Sequence, residues 1–106
     1  MGSRTMYITS VRHTLRDHWA WTKPCGSPLK SIKSAQNMIC ARLLDEKGIS
    51  RDFPNFGMTL SLKMPEIVKE AQQYIGETRE VTLCDGERPK DFQKKFHDVQ
   101  YFEEEE

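Results

Sequence analysis

The run from Arg12 to Lys23 interleaves cationic and aromatic side chains. Surfaces that bind single-stranded nucleic acid combine cations, which meet phosphates, with flat rings, on which bases stack. Because Trp19 and Trp21 lie two positions apart, an extended segment would place both indoles on one side. The same spacing also lets both indoles bury on one face of a strand, and in a chain with few apolar residues we expect at least one Trp to be buried in the core. The run predicts single-stranded nucleic acid as a partner, through these candidate contacts: Arg12, Arg16, His18, Trp19, Trp21 and Lys23.

A second candidate site lies just downstream, where Ser27 and Pro28 predict a helix N-cap and first turn. Lys30 and Lys33 fall in the first turns of that helix, where the partial positive charge of the helix end disfavours cations. A bound oxyanion would reconcile the charges, while two lysines extending into solvent would need no ligand. This segment is not a Walker loop, because the paired glycines of that motif are missing. The candidate anion-binding residues are Gly26, Ser27, Lys30 and Lys33.

Nucleophilic and metal chemistry find weaker support. Cys25 lies near the predicted helix start between two lysines, an environment that lowers a thiol pKa and keeps a small thiol-dependent enzyme as a minor alternative. The Cys-x5-Arg spacing of thiol phosphatases is absent, since Ser31 stands six residues after Cys25. His13 and His18 are five residues apart and do not share a helix face, and no zincin motif accompanies them. We therefore expect no catalytic residue, no metal site and no cofactor.

Charge is strongly divided along the chain although it sums to zero. Residues 1–42 carry seven cations and one anion, and residues 43–106 carry nine cations and fifteen anions. Segregated charge concerns partners and steering rather than fold. It favours a small non-enzymatic binding protein whose basic half meets nucleic acid or another anionic partner. The alternative is a protein-interaction or inhibitor module, in which the charged faces steer docking on a protein or on a second copy.

Length and composition indicate one soluble domain. A chain of 106 residues with 37% apolar residues and two Trp can build one core. No apolar run approaches the roughly 20 residues of a membrane-spanning helix, and no signal peptide is visible. Three cysteines without a CxxC pair suit reduced thiols in a cytoplasmic protein without a membrane partner. We expect a globular domain over 5–102, preceded by an expression remnant or disordered residues 1–4 and followed by a disordered acidic tail, 103–106. The tail could also cover the basic segment or attract a basic partner.

In the first half of the chain, β-branched and aromatic residues predict a strand over 5–12. Residues 13–23 fit neither a helical nor a strand period and are expected to be irregular or briefly helical. Apolar residues at helical spacing then predict a helix over 28–47, with Gly48 as its stop.

In the second half, Phe53 and Phe56 of a loop are expected to fold onto the core. Alternating apolar residues predict a strand over 58–64, followed by a helix that begins at Pro65 and stops at Gly76. A strand over 81–84, a tight turn at Asp85-Gly86 and a helix over about 89–101 complete the chain. The elements predict an α/β or α+β domain with about three helices on a three- to four-stranded sheet.

Overall fold

The β-branched segment near the N-terminus forms the central strand of an antiparallel sheet. The computed structural model describes residues 2–15 and 19–88. Its sheet has the order β2-β1-β3, and both neighbours run antiparallel to β1. The elements in chain order are β1 (Ser3–Arg12), β2 (Trp19–Trp21), α1 (Pro28–Glu46), α2 (Phe56–Lys63), α3 (Pro65–Ala71), a single 3₁₀ turn (Gln72–Tyr74) and β3 (Ile75–Cys84). Three helices and a three-stranded sheet in the described residues confirm the predicted α+β class.

Helix α1 confirms the prediction over 28–47. Ser27 is the N-cap, and its Oγ accepts a hydrogen bond from the Lys30 N–H at 3.1 Å. Pro28 occupies the first helical position, where its missing N–H costs nothing. Gly48 follows the helix with a φ of 71°, the left-handed conformation that glycine adopts without strain. The buried residues recur at helical spacing: Ser31, Ala35, Ile39, Cys40, Leu43 and Leu44.

The sheet has two unlike faces because successive residues of a strand point to opposite sides. Thr9 and Val11 point toward α1, and Thr9 Oγ1 lies 2.6 Å from the Oγ of Ser31 on that helix. We call this side the inner face. Ser10 and Arg12 point to the opposite side, which we call the outer face. Strand pairing adds the two indoles to the outer face, since Trp21 stands opposite Ser10 and Trp19 opposite Arg12.

The segment between Arg12 and Lys23 is more regular than the sequence suggested. Its residues 19–21 form β2, so the expectation of an irregular or helical segment is wrong there. The extended course continues beyond β2, because the Thr22 N–H donates to the Thr9 carbonyl at 3.0 Å. Cys25 then pairs with Tyr7 in an isolated bridge. A strand of three residues is too short to show an alternating pattern of its own, which explains the error.

The strand predicted over 58–64 is wrong, because these residues belong to α2 and its C-cap. Met58 and Leu62 are 65% and 75% exposed, and Leu60 alone of the alternating apolar residues is buried. The alternation therefore does not record one buried face of a strand. Ser61 Oγ donates to the Gly57 carbonyl one turn earlier at 3.1 Å, a bond that helical geometry provides. Phe53 and Phe56 stack at 5.4 Å and pack against the core, as expected.

The helix that begins at Pro65 ends earlier than predicted. Helix α3 stops at Ala71, and Ile75 and Gly76 already belong to β3, so Gly76 is not a helix stop. The strand predicted over 81–84 is the last part of β3, and the predicted turn follows it: the Glu87 N–H donates to the Cys84 carbonyl at 2.9 Å. The helix predicted over about 89–101 and the tail 103–106 lie outside the described residues.

Candidate nucleic-acid interface

A β-bulge shapes the outer face near the beginning of β3. The β1 residues on either side of Ser10 pair with Ile75 and Thr78, so Ser10 stands opposite two residues, Gly76 and Glu77. The extra residue lets Ile75 and Thr78 both face α1 while Gly76 and Glu77 lie on the outer side. Ser10 Oγ accepts the Glu77 N–H at 3.0 Å, which satisfies a donor that the ladder does not pair. Bulges commonly redirect side chains beside functional sites.

Gly76 makes room for the indole of Trp19. A Cβ placed on Gly76 would lie 2.9 Å from Cζ3 of Trp19 and closer still to Ser10 Oγ. Trp19 therefore reaches from β2 across the central strand to the backbone of β3. Even so, it is 47% exposed. The ring is held in place by a backbone contact while about half of its surface stays in water.

Two arginines lie over aromatic rings on the same face. Arg12 Cζ is 5.0 Å from the centroid of the Tyr74 ring, and Arg79 Cζ is 4.9 Å from that of Trp21. Arg79 also bonds Glu77, with Nε 2.5 Å from Oε2. Guanidinium groups at this distance are attracted to the negative face of the rings, which fixes their position without removing their charge. The carboxylate of Glu77 is fixed in turn by Arg79.

Trp19, Trp21 and Glu77 line an open concavity of about 340 Å³. That volume is near the lower end of the range for small-ligand sites, about 300–1,000 Å³. An exposed indole, a second indole, a fixed carboxylate and two nearby guanidiniums can stack a planar ring and meet an attached anion. The lining residues are Ser10, Trp19, Ala20, Trp21, Gly76 and Glu77.

The structure divides the sequence-predicted site residues into two groups. Arg12, Trp19 and Trp21 meet on the outer face, as described above. Lys23 instead lines a separate groove of about 510 Å³ beside α1. Arg51 lines the same groove. The predicted anion-binding residues lie around the start of α1, on the other side of the sheet: Gly26, Ser27, Lys30 and Lys33. Arg16 and His18 lie outside the described residues.

The start of α1 already has partners for its backbone donors. Pro28 has no N–H, the Lys30 N–H is donated to Ser27 Oγ, and the Ser31 N–H is donated to the Ser27 carbonyl at 3.0 Å. A helix N-terminus binds anions through several free N–H groups, so this one offers little beyond the charge of its lysines.

The thiol of Cys25 does not have the lowered pKa that its lysine neighbours suggested. Burial raises its pKa above the ordinary value of 9.0, and the opposing effects of the Ser34 hydrogen bond and of Lys23 and Lys30 do not cancel that rise. Cys25 Sγ donates to the Lys23 carbonyl at 3.3 Å, which further occupies the protonated thiol. Within residues 2–15 and 19–88, His, Cys, Asp and Glu form no group of three that could hold a metal ion. No helix among the same residues is long and apolar enough to cross a membrane.

Sequence reasoning missed the residues that β3 and the turn before it contribute. These are Tyr74, Gly76, Glu77 and Arg79, together with Ser10 from β1. Gly76 carried the one signal that was available, because a glycine followed by a β-branched segment also marks a bulge or a close backbone approach. The others become site residues only through the pairing of distant strands.

Comparisons with protein-family models, with curated proteins and with solved structures found no match to this chain.

Proposed function

We propose that this protein binds single-stranded nucleic acid on the outer face of its sheet. The observation that carries the proposal is Trp19, an indole 47% exposed yet positioned against Gly76. A large ring kept in water and held by its neighbours suits stacking by a base, since a purely structural indole would be more fully buried. The concavity beside it provides space for the ring that stacks.

Arg12 and Arg79 supply the charges that such a ligand needs. Each guanidinium lies over an aromatic ring, so its position is set before a phosphate arrives and little side-chain entropy is lost on binding. Guanidinium groups also meet phosphate oxygens in a bidentate manner.

Fluorescence titration tests the proposal directly, because the chain has only two Trp and both line the concavity. Adding oligothymidylate at low salt should quench the Trp emission. Contacts from the two arginines should give a plot of log K against log salt with a slope on the order of −1.4. Unchanged emission at low salt, together with no change in anisotropy of a labelled oligonucleotide, would refute the proposal.

Variants of Trp19 locate the binding surface. Trp19→Ala should weaken binding by roughly 5- to 150-fold, the effect of removing one base–aromatic stack of about 1–3 kcal/mol. Leu62→Ala is the matched control, because Leu62 is also a large exposed apolar residue but lies on α2. Equal affinities of the two variants would place binding elsewhere.

A pair of double variants separates the two groups of cations. Arg12→Gln with Arg79→Gln should lower the affinity and flatten the salt dependence, since both groups are on the outer face. Lys30→Gln with Lys33→Gln removes the same charge from the exposed start of α1 and should leave the affinity within about twofold, because screened charges at a distance act weakly. If the lysine variant lowers the affinity and the arginine variant does not, the phosphate contacts lie at the start of α1.

Exposed apolar residues on α2 favour protein–protein association as a second candidate function. Met58 and Leu62 are four residues apart, so they lie on one face of the helix, and both are largely exposed. Sedimentation velocity at two ionic strengths tests association with a second copy. A concentration-dependent dimer that Leu62→Lys abolishes would support it, and a monomer at all concentrations would refute it.

A further inference from the structure

We infer that the concavity selects guanine among the bases, with Glu77 reading the base while it stacks on Trp19. The inference rests on the proposed function and deepens it. Both residues line the same concavity, and Glu77 follows directly on Gly76, the residue whose backbone Trp19 contacts. A ring stacked on Trp19 therefore has a carboxylate at its edge.

The carboxylate determines which edge is accepted, because an ionised carboxylate accepts hydrogen bonds and donates none. Guanine presents two adjacent donors, N1–H and the N2 amino group, on its Watson–Crick edge. Adenine and cytosine present one amino group next to an acceptor nitrogen, and uracil places its single N–H between two carbonyl oxygens. Only guanine can therefore fill both oxygens of Glu77 without facing them with a lone pair.

Arg79 is the positioning residue for this carboxylate. Its guanidinium lies over the Trp21 ring at 4.9 Å, and its Nε bonds Glu77 Oε2 at 2.5 Å. One such bond leaves acceptor capacity on both oxygens, since a carboxylate offers about four lone-pair sites. The bulge holds the backbone, because Ser10 Oγ accepts the Glu77 N–H. Glu77 is thus oriented from its backbone and from its side chain.

The other ligand class that two indoles and a carboxylate suit is a quaternary ammonium. Here a cation already lies over Trp21, and the same cation neutralises Glu77. A cationic ligand in the concavity would be repelled by the charge of Arg79, whereas a neutral base with an attached phosphate would not be repelled. The observations therefore favour guanine.

The test compares RNA pentamers in which four uridines flank one central residue. With the unaltered chain, central guanosine should bind at least about fivefold tighter than adenosine, cytidine or uridine, the lower bound for a bidentate base contact of about 1–3 kcal/mol. Inosine lacks the N2 amino group but keeps N1–H, so most of that preference should be lost when inosine replaces guanosine.

Glu77→Gln should lower the affinity for guanosine to that for inosine, because the carboxylate that accepts both donors is lost while Trp19 and Arg12 are unchanged. Glu80→Gln is the matched control, since Glu80 is three pairs farther along β3, opposite Tyr7, where residues point to the side of α1. A guanosine preference that survives Glu77→Gln, or equal binding of guanosine and inosine by the unaltered chain, would overturn the inference and leave the proposed function standing.

Two other outcomes are informative. If no pentamer binds at low salt, both the inference and the proposed function fail. Tetramethylammonium that displaces the guanosine pentamer more strongly than sodium does at equal ionic strength would overturn the inference in favour of a cation site.

Discussion

The two faces of the sheet receive alternate residues of the same strand and use them differently. On the inner face, Thr9 and Val11 are fully buried against α1. On the outer face, the neighbouring β1 residues Ser10 and Arg12 lie beside the indole of Trp19, which is 47% exposed, and beside a concavity. The outer face is not open along its whole length, since Ile8 and Leu83 are buried on it. The exposed residues Trp19, Gly76 and Glu77 lie at the end of the sheet where β2 and the bulge meet.

The difference between the faces lies in how side chains are held. On the inner face polar groups satisfy one another: Thr9 Oγ1 lies 2.6 Å from Ser31 Oγ and 3.0 Å from Thr78 Oγ1. On the outer face Trp19 is positioned against the backbone at Gly76, and the guanidinium of Arg79 lies over the ring of Trp21. The fully buried side chains of the inner face stabilise the fold. The half-exposed Trp19 of the outer face still has ring surface that a ligand can contact.

The largest difference between the faces should appear when a large side chain is removed from each. Leu44→Ala deletes a fully buried residue of the core cluster and should lower the free energy of unfolding by about 2–5 kcal/mol. Trp19→Ala removes a larger side chain but one already half in water, so its loss should not exceed about 2 kcal/mol. Guanidinium denaturation measures both. Equal losses would mean that Trp19 is a core residue and would break the comparison.

A smaller effect is expected from a methyl group added where the outer face is tight. Gly76→Ala should lower the free energy of unfolding by about 1–3 kcal/mol, because the new Cβ meets Trp19 and Ser10. Displacement of the indole should also shift the Trp emission. Gly26→Ala is the control, since a Cβ there meets nothing within 4 Å. If the two variants have the same denaturation midpoint, the bulge does not hold Trp19 in place.

Local signals were enough for part of this molecule. Ser27, Pro28 and Gly48 mark the limits of α1, and each acts through its own backbone or side chain. The β-branched residues of β1 and the turn at Asp85-Gly86 were recognisable for the same reason. The two indoles also share one side of β2, as the alternation of a strand predicts, and the pairing of β2 with β1 puts them on the outer face with Arg12.

The rest depended on pairing between distant residues. Nothing within residues 75–78 announces that Ser10, more than sixty positions away, stands opposite two of them. Glu77 and Arg79 consequently looked like ordinary surface charges of the acidic half of the chain. The prediction of a strand over 58–64 was wrong for a different reason. The apolar residues alternate there as in a strand with one buried face, but most of them are exposed on a helix.

The smallest expected effect concerns the polar contacts of the inner face. Thr9→Val keeps the shape of the side chain but removes the hydroxyl between the buried Ser31 and the half-buried Thr78, which leaves Ser31 Oγ without that bond in an environment that excludes water. The free energy of unfolding should fall by about 1 kcal/mol, the usual net value of one hydrogen bond, and by up to about 3 kcal/mol if the Ser31 hydroxyl finds no other partner. Thr5→Val on the same strand is the matched control, because Thr5 is exposed. Equal denaturation midpoints would show that the inner face is held by apolar packing alone, and that the polar contacts distinguishing it from the outer face contribute nothing to its stability.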